Sequence, residues 1–486
     1  MDEFIAELRI LKAWAGNPSI TEITRRIHAA WRQAGRPRNE WPARSTVGNC
    51  FQLGRRRPNT DLLLAVVHAL VDGSTAAVSA WRQALRTVLG EVEASARVTA
   101  YDRLPAPPPL LLGREDLLRR ARSLLRTDDA APVVALEGMA GTGKTALALT
   151  VAHRLRAESG PDTPVLFARL RGAAPDEPAV DPSAVLECFL RLLGVTGERI
   201  PYDLDARVQL YRQSLAGTGT LVVLDDASDG EQVLPLLPAA PTCRTVITSR
   251  TALRGSHGIE RLAVPPLRTT DSAELLGHIA GTERLHPGSA AGARIAELLG
   301  NHPQALTIIG RHLRDHPNWS LADYYRESLT ILAMEGGIRS SLAASDTRLP
   351  HDARRLLRLL ALHPSHDMDT EAVAALAGEA VESVRRPLAA LAAVHLVRQV
   401  APDRYRLPVL VHAYAEERVC IDEPASRIQE ALARLTAHYR TRADDTAPDG
   451  ANRLGASAVR QRIEQEGAWS EVTRPTARRT VTYAAA

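Results

Sequence analysis

The chain has 486 residues, 45% hydrophobic and 24% charged, with a formal net charge of +4. That length exceeds one ordinary hydrophobic core, and the composition is that of a globular, water-exposed protein of several domains. Its longest apolar runs, such as residues 62–71, fall well short of the roughly twenty residues that a membrane helix needs.

In chain order, residues 1–100 read as helices at 4–15, 20–34, 45–51, 61–71 and 76–89, with Ser19 and Ser45 as N-caps. Residues 1–60 hold 11 basic and 5 acidic residues, a net +6 that exceeds the charge of the whole chain. Arginine-richness alone is weak evidence, because 58 of the 60 basic residues are arginines and only Lys12 and Lys144 are lysines. The first residues, Met-Asp-Glu-Phe-Ile-Ala-Glu, have neither a basic n-region nor an apolar signal core, so a cytoplasmic location without a membrane partner is expected. Cys50, Cys188, Cys243 and Cys420 form no Cys-x-x-Cys pair, and His363 and His366 have no second ligand pair nearby. Neither a disulfide framework nor a metal centre is expected from them.

Asp102-Arg-Leu-Pro-Ala-Pro-Pro-Pro109 is a stiff proline-rich connector. Beyond it, β-branched runs at 133–136, 165–170, 221–224 and 246–248 alternate with amphipathic stretches, the pattern of buried parallel strands in a doubly wound α/β sheet. The first run leads into Gly138-Met139-Ala140-Gly141-Thr142-Gly143-Lys144-Thr145 and the helix opening at Ala146. This spacing wraps backbone N–H groups around a phosphate at the positive end of a helix. Lys144 would neutralise the β- and γ-phosphates and the Thr145 hydroxyl would ligate Mg2+. Leu221-Val-Val-Leu-Asp225-Asp226 is an apolar strand ending in two acids. Asp225 would hold the metal, and Asp226 would orient or deprotonate an attacking water, making it the candidate catalytic residue. ATP or ADP with Mg2+ is the expected ligand set. Two further segments fit the same rim: Arg244-Thr-Val-Ile-Thr-Ser-Arg250, which aims Arg250 at a γ-phosphate, and Gly300-Asn-His-Pro303, which opens a helix.

Residues 269–342 read as helical. After Pro350 come three helical segments and two short strands, 396–400 and 404–407, the pattern of a winged helix. An amphipathic helix at 425–442 then precedes a polar, disordered tail too short for a tetratricopeptide array.

Leu111-Leu-Gly113-Arg114, the glycine loop, the paired acids, Thr-Val-Ile-Thr-Ser-Arg250 and Gly-Asn-His-Pro303-Gln-Ala-Leu occur in the order seen in NB-ARC members of the STAND class of NTPases. The chain resembles that family over roughly residues 108–440. The resemblance implies that Gly113 and Arg114 lie near the adenine, that Pro303 touches the nucleotide from a helical lid, and that Arg250 senses the γ-phosphate. It also implies a slow ATPase used as an ATP/ADP switch, with self-association in the ATP state. The chain departs from the pattern at Leu117, where the family has glutamate, and at Gln304, where it usually has leucine. A third departure is Leu407-Pro408-Val409, which falls where the family's winged helix carries Met-His-Asp; His412 is the nearest histidine.

Arg44, Ser45 and Thr46, followed by Arg55, Arg56 and Arg57, resemble the recognition helix and following loop of XRE/Cro-type helix-turn-helix heads. The partner expected of such a head is duplex DNA; the alternative is a defence-type signalling ATPase whose head recruits a protein. A multidomain chain is therefore expected. Its parts are a helix-turn-helix head at 1–100, a connector at 101–109, a P-loop NTPase domain at 110–267, a helical lid at 268–343, a winged helix at 344–421 and a helical, partly disordered tail at 422–486.

Overall fold

The structure is a computed structural model that describes residues 2–52, 59–71, 74–88, 98–126, 131–160, 162–173, 178–201, 203–253, 258–334 and 337–445. Packing divides the chain into two compact units. One holds residues 1–137 and 144–263; the other holds 138–143 and 264–486.

The first unit begins with α1 (Asp2–Trp14), α2 (Ile20–Gln33), α3 (Arg44–Asn49), α4 (Thr60–Leu70) and α5 (Thr75–Val88). Their apolar stripes meet in a core that includes Phe4, Leu8, Ile23, Ile27, Val47, Leu63, Val67 and Leu85. Ser19 caps α2 as its position predicts, accepting the Glu22 N–H at 3.2 Å. Ser45 does not cap α3. The helix opens one residue earlier, extended Ala43 occupies the cap position, and Ser45 lies inside the first turn.

The unit continues through β1 (Thr99–Tyr101), α6 (Glu115–Leu124), β2 (Val133–Glu137), α7 (Lys144–Ser159), β3 (Val165–Arg169), α8 (Pro182–Leu192) and α9 (Leu204–Leu215). After these come β4 (Leu221–Ala227), α10 (Gly230–Val233), β5 (Arg244–Ser249) and β6 (Ile259–Ala263). The strands form one sheet in the order β1-β3-β4-β5-β2-β6. All neighbours are parallel except β1, which pairs antiparallel with β3 at the edge. Sequence periodicity predicts neither edge strand. Residues 99–101, read as the end of the head and the start of the connector, belong to this sheet. The inner strands are rich in apolar residues up to their carboxyl ends because both faces are covered, and β2 is buried along its whole length. Asp181 and Asp203 cap α8 and α9 through the Ser183 and Ala206 N–H groups, at 2.7 and 3.0 Å.

The second unit contains α11 (Thr269–Ala280), α12 (Ala290–Leu298), α13 (Pro303–Asp315), α14 (Leu321–Met334) and α15 (Gly337–Thr347). Then come α16 (His351–Leu360), β7 (Asp367–Asp369), α17 (Thr370–Ala377), α18 (Val381–Ala393), β8 (Arg398–Ala401), β9 (Arg404–Arg406), α19 (Val409–Asp422) and α20 (Ala425–Asp445). β9 lies between β7 and β8 in an antiparallel sheet. The strand β7 is an addition to the two strands read from sequence. Three residues are too few to show alternation, and Asp369 also serves as the cap of α17, through the Ala372 N–H at 2.8 Å. One core joins these helices, from Leu276 and Leu306 through Leu357 to Leu410 and Tyr414, and it includes Met139. No helix among the described residues is long and apolar enough to cross a membrane.

Candidate functional site

Register brings the candidate residues of the first unit to one level. Leu136 on β2 is opposite Thr248 on β5, and Arg169 on β3 is opposite Asp225 on β4. Because β5 lies between β2 and β4, the strand that leads into Arg250 occupies the middle of the rim. Ligands of open parallel sheets bind at such carboxyl ends.

Between β4 and β5 the pairing slips. Leu224 pairs with Ile247 and Ala227 with Ser249, so Asp225 and Asp226 together oppose the single residue Thr248. In a regular strand the two acids would point to opposite faces. The bulge re-aims the second, which adopts a left-handed φ of 58°. Thr248 holds both: its hydroxyl donates to Asp225 Oδ1 at 2.7 Å and accepts the Asp226 N–H at 2.8 Å.

Asp225 is 3% exposed. Its Oδ1 also accepts from the Thr145 hydroxyl at 2.6 Å, and its Oδ2 lies 3.5 Å from Arg169 Nε. Hydroxyl and carboxylate oxygens this close suit a hard cation such as Mg2+. Asp226 is engaged on both oxygens, by Arg250 Nε at 3.2 Å and by the Ala173 N–H at 3.3 Å. Buried Glu137 accepts the Leu253 N–H at 2.8 Å and anchors the segment after Arg250. Lys144 is 7% exposed. Burial and then the Arg250 guanidinium push its pKa down to about 7, opposed by Asp226 and Asp225. Gly113 has a left-handed φ of 65° and precedes buried Arg114, the N-terminal flank of α6.

In the second unit, residues 138–143 pack with the segment that opens α13. Buried His302 caps that helix, and Pro303 is its first residue. His302 Nε2 lies 2.7 Å from the Ala140 carbonyl oxygen, and the Gln304 N–H donates to the Gly141 carbonyl at 3.2 Å. Gly141 has φ 76°, and a Cβ there would lie 2.3 Å from Gln304 Oε1 and 2.5 Å from His302 Cε1. Glycine is required at 141 both by the backbone and by these neighbours.

Arg44, Ser45 and Thr46 are exposed on α3, while Arg55, Arg56 and Arg57 lie outside the described residues. Reading the sequence alone misses Thr248, Arg169 and His302. Thr248 is detectable only through the bulge; His302 sits beside the predicted Pro303 but looks like an ordinary helix start.

A parallel sheet with the glycine loop after β2 and paired acids ending β4 resembles the core of a P-loop NTPase. Over 348 residues the chain is 32% identical to the regulatory protein AfsR of Streptomyces griseus, a match covering 69% of this chain and 35% of that protein. It is also 32% identical to the regulatory protein AfsR of Streptomyces coelicolor, over 338 residues, covering 67% of this chain and 33% of the relative. The chain thus spans about a third of the length of these curated relatives. No family model matches the sequence. Among solved structures, the STAND protein with a tetratricopeptide repeat sensor from Pyrococcus horikoshii is 18% identical, with a TM-score of 0.33 over 76% of this chain and 51% of that one. The Walker-type ATPase of Pyrococcus abyssi is 15% identical, with a TM-score of 0.47 over 64% of this chain and 98% of that one. At such values neither structural likeness bears on function.

Proposed function

We propose that the chain is a nucleotide-dependent switch of the STAND type, NB-ARC in kind, which reads ADP against ATP and passes that state to a DNA-binding head. The observation that carries this reading is the 2.6 Å hydrogen bond from Thr145 to Asp225. It joins the glycine-loop motif to the paired-acid motif across 80 residues of chain, as one phosphate-and-metal site requires. Residues 138–146 would hold the phosphates, Gly113 and Arg114 the base, and Pro303 the nucleotide from the lid. Thr145 and Asp225 would hold Mg2+, which supplies charge neutralisation at the phosphates. Asp226 would orient the attacking water, and Arg250 would read the γ-phosphate.

Slow turnover fits this geometry, because both carboxylate oxygens of Asp226 are already engaged, by Arg250 and by the Ala173 N–H. A regulatory role agrees with the name of the Streptomyces relatives. The DNA-binding head is supported by the +6 charge of residues 1–60 and by exposed Arg44, Ser45 and Thr46 on one short helix. Residues 344–421 would form a winged helix, and the ATP state would self-associate in the cytoplasm.

Two measurements test the reading. Lys144→Ala should abolish ATP binding in a folded protein, since charge-assisted bonds are each worth roughly 1.5–3 kcal/mol; undiminished affinity would remove Lys144 from the site. Arg44→Ala should lower the slope of log K against log salt for promoter DNA by about 0.9. A parent with no DNA affinity would favour a head that recruits a protein.

A further inference from the structure

The loop Gly138–Gly143 belongs by packing to the unit of residues 264–486, although in sequence it joins β2 to α7 of the other. Its Met139 is buried in the core of that second unit. At the opening of α13, His302 Nε2 meets the Ala140 carbonyl of the loop and the Gln304 N–H donates to the Gly141 carbonyl.

We propose that His302 is a positioning residue that shapes the phosphate-binding loop from the lid; this rests on the nucleotide reading above. Hydrogen bonding fixes the state of its ring. Nδ1 faces the Ala305 N–H at 3.4 Å and must accept, so the ring is neutral and the proton sits on Nε2. Nε2–H therefore donates to the Ala140 carbonyl at 2.7 Å. In a planar trans peptide the C=O and the following N–H point in opposite directions. Holding the Ala140 carbonyl against His302 turns the Gly141 N–H away from the lid. Holding the Gly141 carbonyl against Gln304 N–H fixes the next peptide as well.

The lid thus sets the orientation of backbone groups that a phosphate nest needs. His302 is 2% exposed, so the bond is screened from water and its loss leaves a buried carbonyl unsatisfied. The same ring does two jobs, capping α13 through Nδ1 and holding the loop through Nε2.

Two substitutions separate these jobs, because an asparagine amide reaches the Nδ1 position and a glutamine amide the Nε2 position. The experiment is release of fluorescent ADP from the full chain, with melting of the nucleotide-free protein and hydrogen exchange of residues 138–143 as second readouts. His302→Asn should keep the cap and, with the Ala140 carbonyl left unsatisfied, melt below the parent; it should release ADP at least fivefold faster and expose the loop to exchange. His302→Gln should release ADP within about twofold of the parent despite a weakened cap. Parental release from His302→Asn, or faster release from His302→Gln alone, would reduce His302 to a helix cap and overturn the proposal. A parent that binds no ADP would overturn the nucleotide reading and the inference with it, and is told apart because it needs no variant.

Discussion

Lys144 brings its ammonium into a site that depresses its pKa to about 7, through burial first and then the Arg250 guanidinium. Bound phosphates favour the charged form, so nucleotide binding to this lysine is coupled to proton uptake. Below pH 7 the group is already protonated and little uptake follows. Above it the lysine must be charged at the expense of binding energy, and affinity should fall by close to tenfold per pH unit between about 7 and 9. Calorimetry at pH 8 in buffers of different ionisation enthalpy should register nearly one proton taken up per nucleotide. Uptake near zero would mean the lysine is already charged in the empty site. Beside it, the Arg250–Asp226 pair at 3.2 Å must open before Arg250 can turn to a γ-phosphate. Partly exposed pairs of this kind hold about 0.2–1 kcal/mol. Asp226→Ala should therefore raise the affinity for ATP relative to ADP roughly two- to fivefold, and should also slow hydrolysis. Equal effects on both nucleotides would show that Arg250 does not distinguish them.

At the scale of elements, the bulge in β4 determines what the paired acids can do. A non-glycine residue in the left-handed region costs about 1–2 kcal/mol, and at Asp226 the bond from its N–H to Thr248 offsets part of that. Thr248→Val keeps the shape but orphans this N–H and removes one donor from Asp225. The expected loss is about 1–3 kcal/mol of stability, seen as a lower melting temperature, and Thr248→Ser should restore most of it. An unchanged melting point in the valine variant would mean the hydroxyl does not hold the bulge. The four inner strands of the sheet were legible in the sequence, because burial on both faces writes a strand as an unbroken apolar run. The rim was legible as well, since glycine loop, paired acids and terminal arginine each follow such a run. Strand β1 was not legible: three residues, Thr-Ala-Tyr, behind a proline-rich stretch show neither alternation nor an apolar run. The Thr248 link was equally hidden, because a slip in register is a property of two strands. Ser45 misled for a related reason: a serine near a helix start is a good cap only if the helix begins after it.

The proposed switch would depend on how firmly the chain keeps its resting nucleotide, and the second unit carries the third departure from the NB-ARC pattern. Leu407-Pro408-Val409 stands where that pattern has Met-His-Asp. Leu407 is 1% exposed and its N–H donates to the His366 carbonyl at 2.8 Å, so it anchors the start of α19. Pro408 flanks that helix and makes no side-chain capping bond. Val409 approaches the lid turn, 3.4 Å from where a Cβ on Gly300 would stand, so the segment lies beside the turn that leads to Pro303. Proline has no side-chain donor, and valine has no charge. His412 is committed elsewhere, its ring 4.8 Å from His366 and its Nδ1 3.9 Å from Glu416. The chain should consequently hold ADP less firmly than relatives with the full triplet. Pro408→His combined with Val409→Asp should slow ADP release at least threefold, as measured by displacement of a fluorescent analogue. Val409→Asp alone places an acid in the first turn of α19, which the helix dipole tolerates, and it should leave release unchanged. If the double variant releases ADP as fast as the parent or faster, the missing triplet is not what sets nucleotide retention, and packing around Pro303 must do so.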